Sequence, residues 1–317
     1  MMESKSFFGK INSQSTYLYK IRSGNMEAEI SNYGATLVSL CFMGQRMVLS
    51  YDSAKKYDSD DKYFGATVGR TAGRIENAAF SLNGTKYCLD KNDKNNSLHG
   101  GADGYNRRIW SVTAYDGRSV TLSLVSEAGD QGYPGRLTVF VTYTLTDNSI
   151  IIDYKASSDE DTLCSLTNHS YFNLGGKKVY SYDLRLDSDK HMVLNAELIN
   201  TGIAENKGTK FDFSKARKIS EDFDDGFYIS DYDGSFKPVA WLKCNESGIM
   251  MTVKTDMPSI QVYTGTFLTA PFSPGDSVCL ETQYPPNAIN SCPEYAPILK
   301  KGEEYRHKTE YVFEKIN

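Results

Sequence analysis

At 317 residues, 40% hydrophobic and 24% charged, the chain has the balance of a globular protein with a large core. Its 35 basic and 40 acidic residues leave a net charge of -5, which argues against the concentrated basic face that nucleic-acid binding requires. No stretch is apolar for long enough to cross a bilayer, so neither a nucleic-acid nor a membrane partner is expected.

The chain opens on Met1-Met2-Glu3-Ser4-Lys5-Ser6-Phe7-Phe8, which lacks the apolar run of a secretory leader. Period-two alternation then starts at Met26-Glu27-Ala28-Glu29-Ile30 and recurs at Val120-Thr121-Leu122-Ser123-Leu124. It is clearest over residues 137–145, where Leu137, Val139, Val141, Tyr143 and Leu145 fall on one face. Asp147-Asn148-Ser149 supply a turn and residues 150–154 a second strand, the grammar of a hairpin. A last alternating run covers residues 305–313. The 22 Tyr and 15 Phe suit a pleated, half-buried surface. No long segment repeats apolar residues at helical spacing, and strands do not alternate with helices, so a parallel α/β sheet is not expected. Short strands continue without a linker, which predicts one domain over residues 1–317: an all-β fold, a large antiparallel β-sandwich.

Six cysteines, Cys41, Cys88, Cys164, Cys244, Cys279 and Cys292, are scattered with no C-x-x-C pair, which points to reduced thiols in the cytoplasm. The sequons Asn83-Gly84-Thr85 and Asn168-His169-Ser170 then read as chance matches.

Four histidines offer proton transfer at neutral pH. His99 lies in Ser97-Leu98-His99-Gly100-Gly101, where the paired glycines let backbone approach a ligand, and His169 lies among polar and aromatic side chains in Thr167-Asn168-His169-Ser170-Tyr171-Phe172. A surface-loop histidine is the bland alternative for each, and their neighbours tilt both toward function. His191 beside Lys190, and His307 between Arg306 and Lys308, read as solvated charged edges. Glu281 ends the apolar run Val278-Cys279-Leu280 before a proline-stiffened loop, a place where partial burial raises a carboxyl pKa toward acid–base use. A capped or salt-bridged strand-end glutamate is an equal reading on local grounds. The acidic run from Glu221 to Asp225 lacks calcium-loop spacing. No clustered Cys/His ligand spacing, phosphate-binding loop, dinucleotide fingerprint or hydrolase elbow occurs, so no metal and no cofactor is expected.

Taken together the motifs resemble the galactose mutarotase (aldose 1-epimerase) family over nearly the whole chain. They are Ser31-Asn32-Tyr33-Gly34-Ala35-Thr36, Tyr63-Phe64-Gly65-Ala66-Thr67-Val68-Gly69-Arg70-Thr71-Ala72-Gly73-Arg74-Ile75, Ser97-Leu98-His99-Gly100-Gly101, Gly132-Tyr133-Pro134-Gly135, Asn168-His169-Ser170-Tyr171-Phe172-Asn173-Leu174, Gln261-Val262-Tyr263-Thr264-Gly265 and Leu280-Glu281-Thr282-Gln283. The resemblance implies a supersandwich with an open sugar site on its concave face, and a monomer or weak homodimer. It implies Glu281 as general base and His169 as general acid for interconverting the anomers of a free hexose, with His99 near the ring oxygen, Arg74 and Asp224 holding hydroxyls, and Gln261 lining the same site. Such chemistry needs no cofactor. Three positions depart from the family pattern: Gly73 where Asn is common, Asp225-Gly226 where His-Asn is usual, and Pro286-Asn287-Ala288 where Pro-Asp-Ala is common. Three other readings stay open: a non-catalytic carbohydrate-binding sandwich, an epimerase of a phosphorylated sugar or disaccharide using Arg74 with Arg70 nearby, and a glycosidase pairing Glu281 with Asp224.

Overall fold

Leu137, Val139, Val141, Tyr143 and Leu145 are all fully buried along the strand Leu137–Leu145, and their polar neighbours face outward. That strand pairs antiparallel with Ser149–Ser158, with Leu145 opposite Ile150, so the hairpin read from the sequence is present. The computed structural model describes residues 5–316; residues 1–4, the start of the segment read as lacking a leader core, lie outside the described residues.

Three sheets dominate. A nine-stranded antiparallel sheet runs in the order Ser111–Tyr115, Ser119–Ser126, Leu137–Leu145, Ser149–Ser158, Glu304–Lys315, Ile249–Thr255, Lys237–Cys244, Asp183–Leu186 and Arg217–Lys218. The C-terminal strand Glu304–Lys315 lies between Ser149–Ser158 and Ile249–Thr255 and so knits early and late parts of the chain together. A five-stranded sheet holds the N-terminal strands Lys5–Ile11, Gln14–Ser23, Met26–Ser31, Thr36–Phe42 and Gln45–Arg46. A second five-stranded sheet, ordered Asn200–Glu205, Lys190–Leu194, Asp224–Tyr228, Ser259–Tyr263 and Cys279–Gln283, carries one wall of the site. Helix is confined to short pieces such as Ala54–Asp58 and Ala288–Ser291. No helix among the described residues is long and apolar enough to cross a membrane.

One apolar cluster draws on all three sheets: Ile21, Ala28 and Ile30 from the first, Val141, Met251 and Phe313 from the largest, Phe227, Ile260, Val262 and Leu280 from the third. Burying each of the Val, Leu, Ile, Met and Phe side chains among them stabilises the fold by about 1.5–3 kcal/mol. Polar clips fix the third sheet on this core. Tyr311 Oη donates to the Leu280 carbonyl at 2.9 Å, and Thr282 and Thr309 hydroxyls meet at 2.5 Å. Because strand side chains alternate, seating Leu280 and Thr282 on the core turns Cys279, Glu281 and Gln283 to the opposite face. The same alternation corrects two readings. His191 is buried, its ring stacked on Phe211 at 3.8 Å and its Nδ1 matched with Asn206 Oδ1, while the charged neighbour Lys190 points the other way. His307 is half-buried between Asp256, 3.3 Å from Nδ1, and the Tyr284 hydroxyl, 3.2 Å from Nε2.

Candidate active site

The pocket is built where the third sheet faces three loops. Across the sheet, Gly226 stands opposite Gln261, and Gln261 opposite Glu281, so one row of the register crosses three strands. Asp224 lies two residues before Gly226 on the same face, and its Oδ1 accepts from Gln261 Nε2 at 2.9 Å. A Cβ at Gly226 would stand 2.2 Å from Met192 Sδ, so the glycine makes room for the thioether that lines the pocket floor. The facing wall comes from the ribbon that pairs Arg74 with Leu98, followed directly by His99, and from His169 just after the strand Thr167–Asn168. The cavity measures about 190 Å³, room for a single hexose, and its wall includes Tyr63, Tyr263, Leu198 and Phe267. All six residues singled out in the sequence, Arg74, His99, His169, Asp224, Gln261 and Glu281, line it.

His169 and Glu281 are 5% and 2% exposed, and Nε2 of the imidazole sits 3.7 Å from Oε1 of the carboxyl. The other carboxyl oxygen, Oε2, is buried without a hydrogen-bond partner among the described residues. Burial, with Asp224 adding like charge, pushes Glu281 well above the usual carboxylate range. Burial pushes His169 down to about 4. With the carboxyl's hold on its proton strengthened and the imidazole's weakened, the empty pocket favours the uncharged form of both groups. Moving that proton to the imidazole creates a carboxylate beside an imidazolium without changing the total charge.

The supporting residues are each oriented. His99 Nδ1 accepts the Gly73 N–H at 3.2 Å, so the neutral ring carries its proton on Nε2 and presents a donor. Burial, His169 and Arg74 all hold His99 well below the usual imidazole range, which keeps it neutral. Arg74 Nε donates to Asp93 Oδ2 at 2.7 Å, anchoring the guanidinium by one edge. Asp224 is raised above the usual carboxylate range by burial, against the pull of Arg74 and Gln261.

Several features were not legible in the sequence. Cys279 Sγ lies 3.5 Å from His169 Nδ1, so Cys279, His169 and Glu281 form a buried trio of ligand types, brought together from segments too far apart in the chain for a clustered ligand motif. Thiol and carboxyl engage different nitrogens of one imidazole, the pattern of an oriented histidine. A C-x-E on a strand, with both side chains on one face, was the available signal. Tyr63 was read only as part of a motif, yet its ring lies 4.6 Å from His99 and 5.9 Å from His169. The glycines after His99 serve the fold: Gly100 has φ +88°, and a Cβ there would stand 2.0 Å from the Gly69 carbonyl oxygen. Gly73 is set by Pro286, 2.4 Å from where a Cβ would be, and Asn287 ties Glu76 N–H to the Asn200 carbonyl outside the pocket. Arg70 is fully buried away from the pocket, bonded to the carbonyls of Pro134 and Gly135 and to Ser126, and supplies no phosphate contact.

Residues 17–312 match the family model described as Aldose 1-epimerase. A galactose mutarotase from Sus scrofa is 35% identical over 338 residues, covering 98% of each chain. An aldose 1-epimerase from Haemophilus influenzae is 37% identical, covering 91% of this chain and 92% of its own. The crystal structure of an aldose epimerase homologue from C. elegans superposes with a TM-score of 0.90 at 28% identity, covering 95% of this chain and all of that one. Galactose 1-epimerase from Lactobacillus acidophilus gives 0.89 at 26% identity, covering 99% and 98%.

Proposed function

The chain belongs to the aldose 1-epimerase family, and on that premise we propose that the Glu281–His169 pair opens and recloses the ring of a free hexose, interconverting its α and β anomers. The observation that carries the roles is the buried pair at 3.7 Å with an unpartnered carboxyl oxygen in an open, sugar-sized pocket.

The C1 hydroxyl of the sugar donates to Glu281 Oε2, supplying the hydrogen bond that oxygen lacks. Hydrogen bonding to the charged form lowers a carboxyl pKa, so substrate draws the pair toward carboxylate and imidazolium. Glu281 then takes the C1 hydroxyl proton, the C1–O1 double bond forms, the C1–O5 bond breaks, and His169 gives its proton to O5. The open aldehyde rotates about C1–C2. O5 adds to the other face of C1, returns its proton to His169, and O1 takes back the proton from Glu281. The pair ends as it began, and each group contributes about 10²–10⁴-fold. His99 Nε2–H donates near the ring oxygen, while Arg74, Asp224 and Gln261 hold the remaining hydroxyls and fix the orientation. The pocket's cations, Arg74 and Lys62, are each paired with an aspartate, which favours a neutral sugar over a phosphorylated one. Residues 1–317 act as one domain in this reading, supported by the core shared among the sheets, and as a monomer or weak homodimer. The compartment is the cytoplasm, supported by six unpaired cysteines among the described residues.

Polarimetry on freshly dissolved α-D-galactose and α-D-glucose tests the activity. The rotation should reach equilibrium faster than the spontaneous change with at least one of them; no acceleration with either overturns the reading.

A further inference from the structure

Tyr63 is a half-buried tyrosine in the left-handed backbone region, φ 60°, a conformation that a bulky residue adopts only when its surroundings impose it. The turn it starts is short: the Ala66 N–H donates to the Tyr63 carbonyl at 3.0 Å. The same turn grips the backbone of His169 in both directions. Gly65 N–H donates to the His169 carbonyl at 2.8 Å, and His169 N–H donates to the Ala66 carbonyl at 3.0 Å. The Tyr63 ring then lies near-parallel to the His169 ring, 24° between planes, and tilted against His99. Tyr171 stacks on His169 at 5.1 Å and 28°. A strained backbone and an aromatic face thus converge on the two histidines of the site.

We propose that Tyr63 is the positioning residue for both histidines, holding the His169 ring in line with Glu281 and keeping water off the pair. The inference rests on the acid role of His169 proposed above. The titratable groups facing His169 are Glu281 and Cys279 from one strand, Tyr263 from its neighbour, His99 and Tyr63 from the loops, and Tyr171 from its own segment. Arg74 and Asp224 line the same pocket. Tyr63 itself is pushed up to about 12 by burial and does not ionise in the working range.

The test compares Tyr63→Phe, Tyr63→Asn and His169→Asn with wild type, measuring kcat and KM for α-D-galactose or α-D-glucose across pH. Asparagine tolerates the left-handed backbone and removes the ring face. Tyr63→Phe is expected within about threefold of wild type, since the face remains and only the hydroxyl goes. Tyr63→Asn is expected to lower kcat about 10–100-fold with KM changed less than about threefold, the scale of misplacing a catalytic group by an ångström. Water admitted by the smaller side chain relieves the burial that depresses His169, so the acid limb of the profile moves up toward 6.5 by about one unit. If Tyr63→Asn does not fold, Tyr63→Gly removes the same face, adopts the left-handed backbone without steric cost and carries the same expectation. An unshifted profile in the ring-deleted variant, or a Tyr63→Phe loss equal to that of Tyr63→Asn, overturns the proposal. Full activity in His169→Asn sinks the acid role and this inference with it; loss there, with an unshifted Tyr63→Asn profile, sinks the inference alone.

Discussion

Replacing Arg70 with lysine keeps the charge and should still cost the fold heavily. The guanidinium is 1% exposed and makes six hydrogen bonds: Nη1 to Pro134 O, Gly135 O and Thr162 Oγ1, Nη2 to Ser126 O, Ser126 Oγ and Glu127 O. Its face also lies over the Tyr133 ring, 5.4 Å from the centroid. An ammonium has three donors on one atom and cannot span the two groups of acceptors that the planar fork reaches. At least three acceptors lose their partner, at about 1–3 kcal/mol each when buried. Taking the low end, because water can follow the smaller head group, Arg70→Lys loses about 3 kcal/mol, or roughly 4–5 °C in Tm for a chain of 317 residues. Scanning calorimetry at pH 7 measures it directly. Because Arg70 is outside the pocket, KM at 25 °C should stay within about twofold of wild type. A Tm within 2 °C of wild type, or a raised KM without loss of stability, would refute the reasoning and return Arg70 to the sugar site.

Other expectations follow from the same geometry. The kcat/KM profile should be flat at neutral pH and fall below about pH 4, where His169 is protonated beside a protonated Glu281 and no base remains. It should fall again at high pH as the pair loses its last proton, and a profile centred on an unperturbed imidazole near 6.5 would contradict this. For stability, the depressed His169 binds fewer protons folded than unfolded, so its contribution is lost as pH falls from 6.5 toward 4. Glu281 works oppositely: raised in the fold, it costs increasing stability as pH rises above 4.5. Glu281→Gln should therefore raise Tm at pH 8 by about 2–4 °C while slowing turnover about 10²–10⁴-fold, and thermal melts at pH 5 and pH 8 would show the gain growing with pH. Gly226→Ala should push Met192 into the pocket and raise KM about tenfold with kcat little changed, since the crowding atom is the far end of a flexible side chain; an unchanged KM in steady-state polarimetry would contradict that placement.

The strands were legible because burial on one face imprints period-two alternation, and Leu137–Leu145 carried it without interruption. Glu281 and His169 were legible as chemistry-bearing residues in crowded local settings. Their meeting was implied only by the family resemblance, because local sequence does not show that Thr167–Asn168 packs on the distant strand Cys279–Gln283, where the Thr167 hydroxyl donates to the Thr282 carbonyl at 3.0 Å. The histidines show the limit of reading neighbours in sequence. His191 and His307 sit beside lysine and arginine, but on a strand those charges point to the other face, and each imidazole finds an aromatic ring instead. Arg70 and Arg74 are four residues apart in one motif and serve different purposes, one buried and clamping loops and one lining the pocket. Nothing in composition or spacing distinguishes them; the register of the Arg74 ribbon does.

The most direct test of the acid–base pair is magnetisation exchange between the α and β anomers at equilibrium, followed by NMR for wild type, Glu281→Gln and His169→Asn, with sugar affinity taken from calorimetry on the same samples. Each variant should slow exchange by about 10²–10⁴-fold while binding the sugar within about tenfold of wild type. Exchange in either variant at more than about a tenth of the wild-type rate would contradict the assignment of that group.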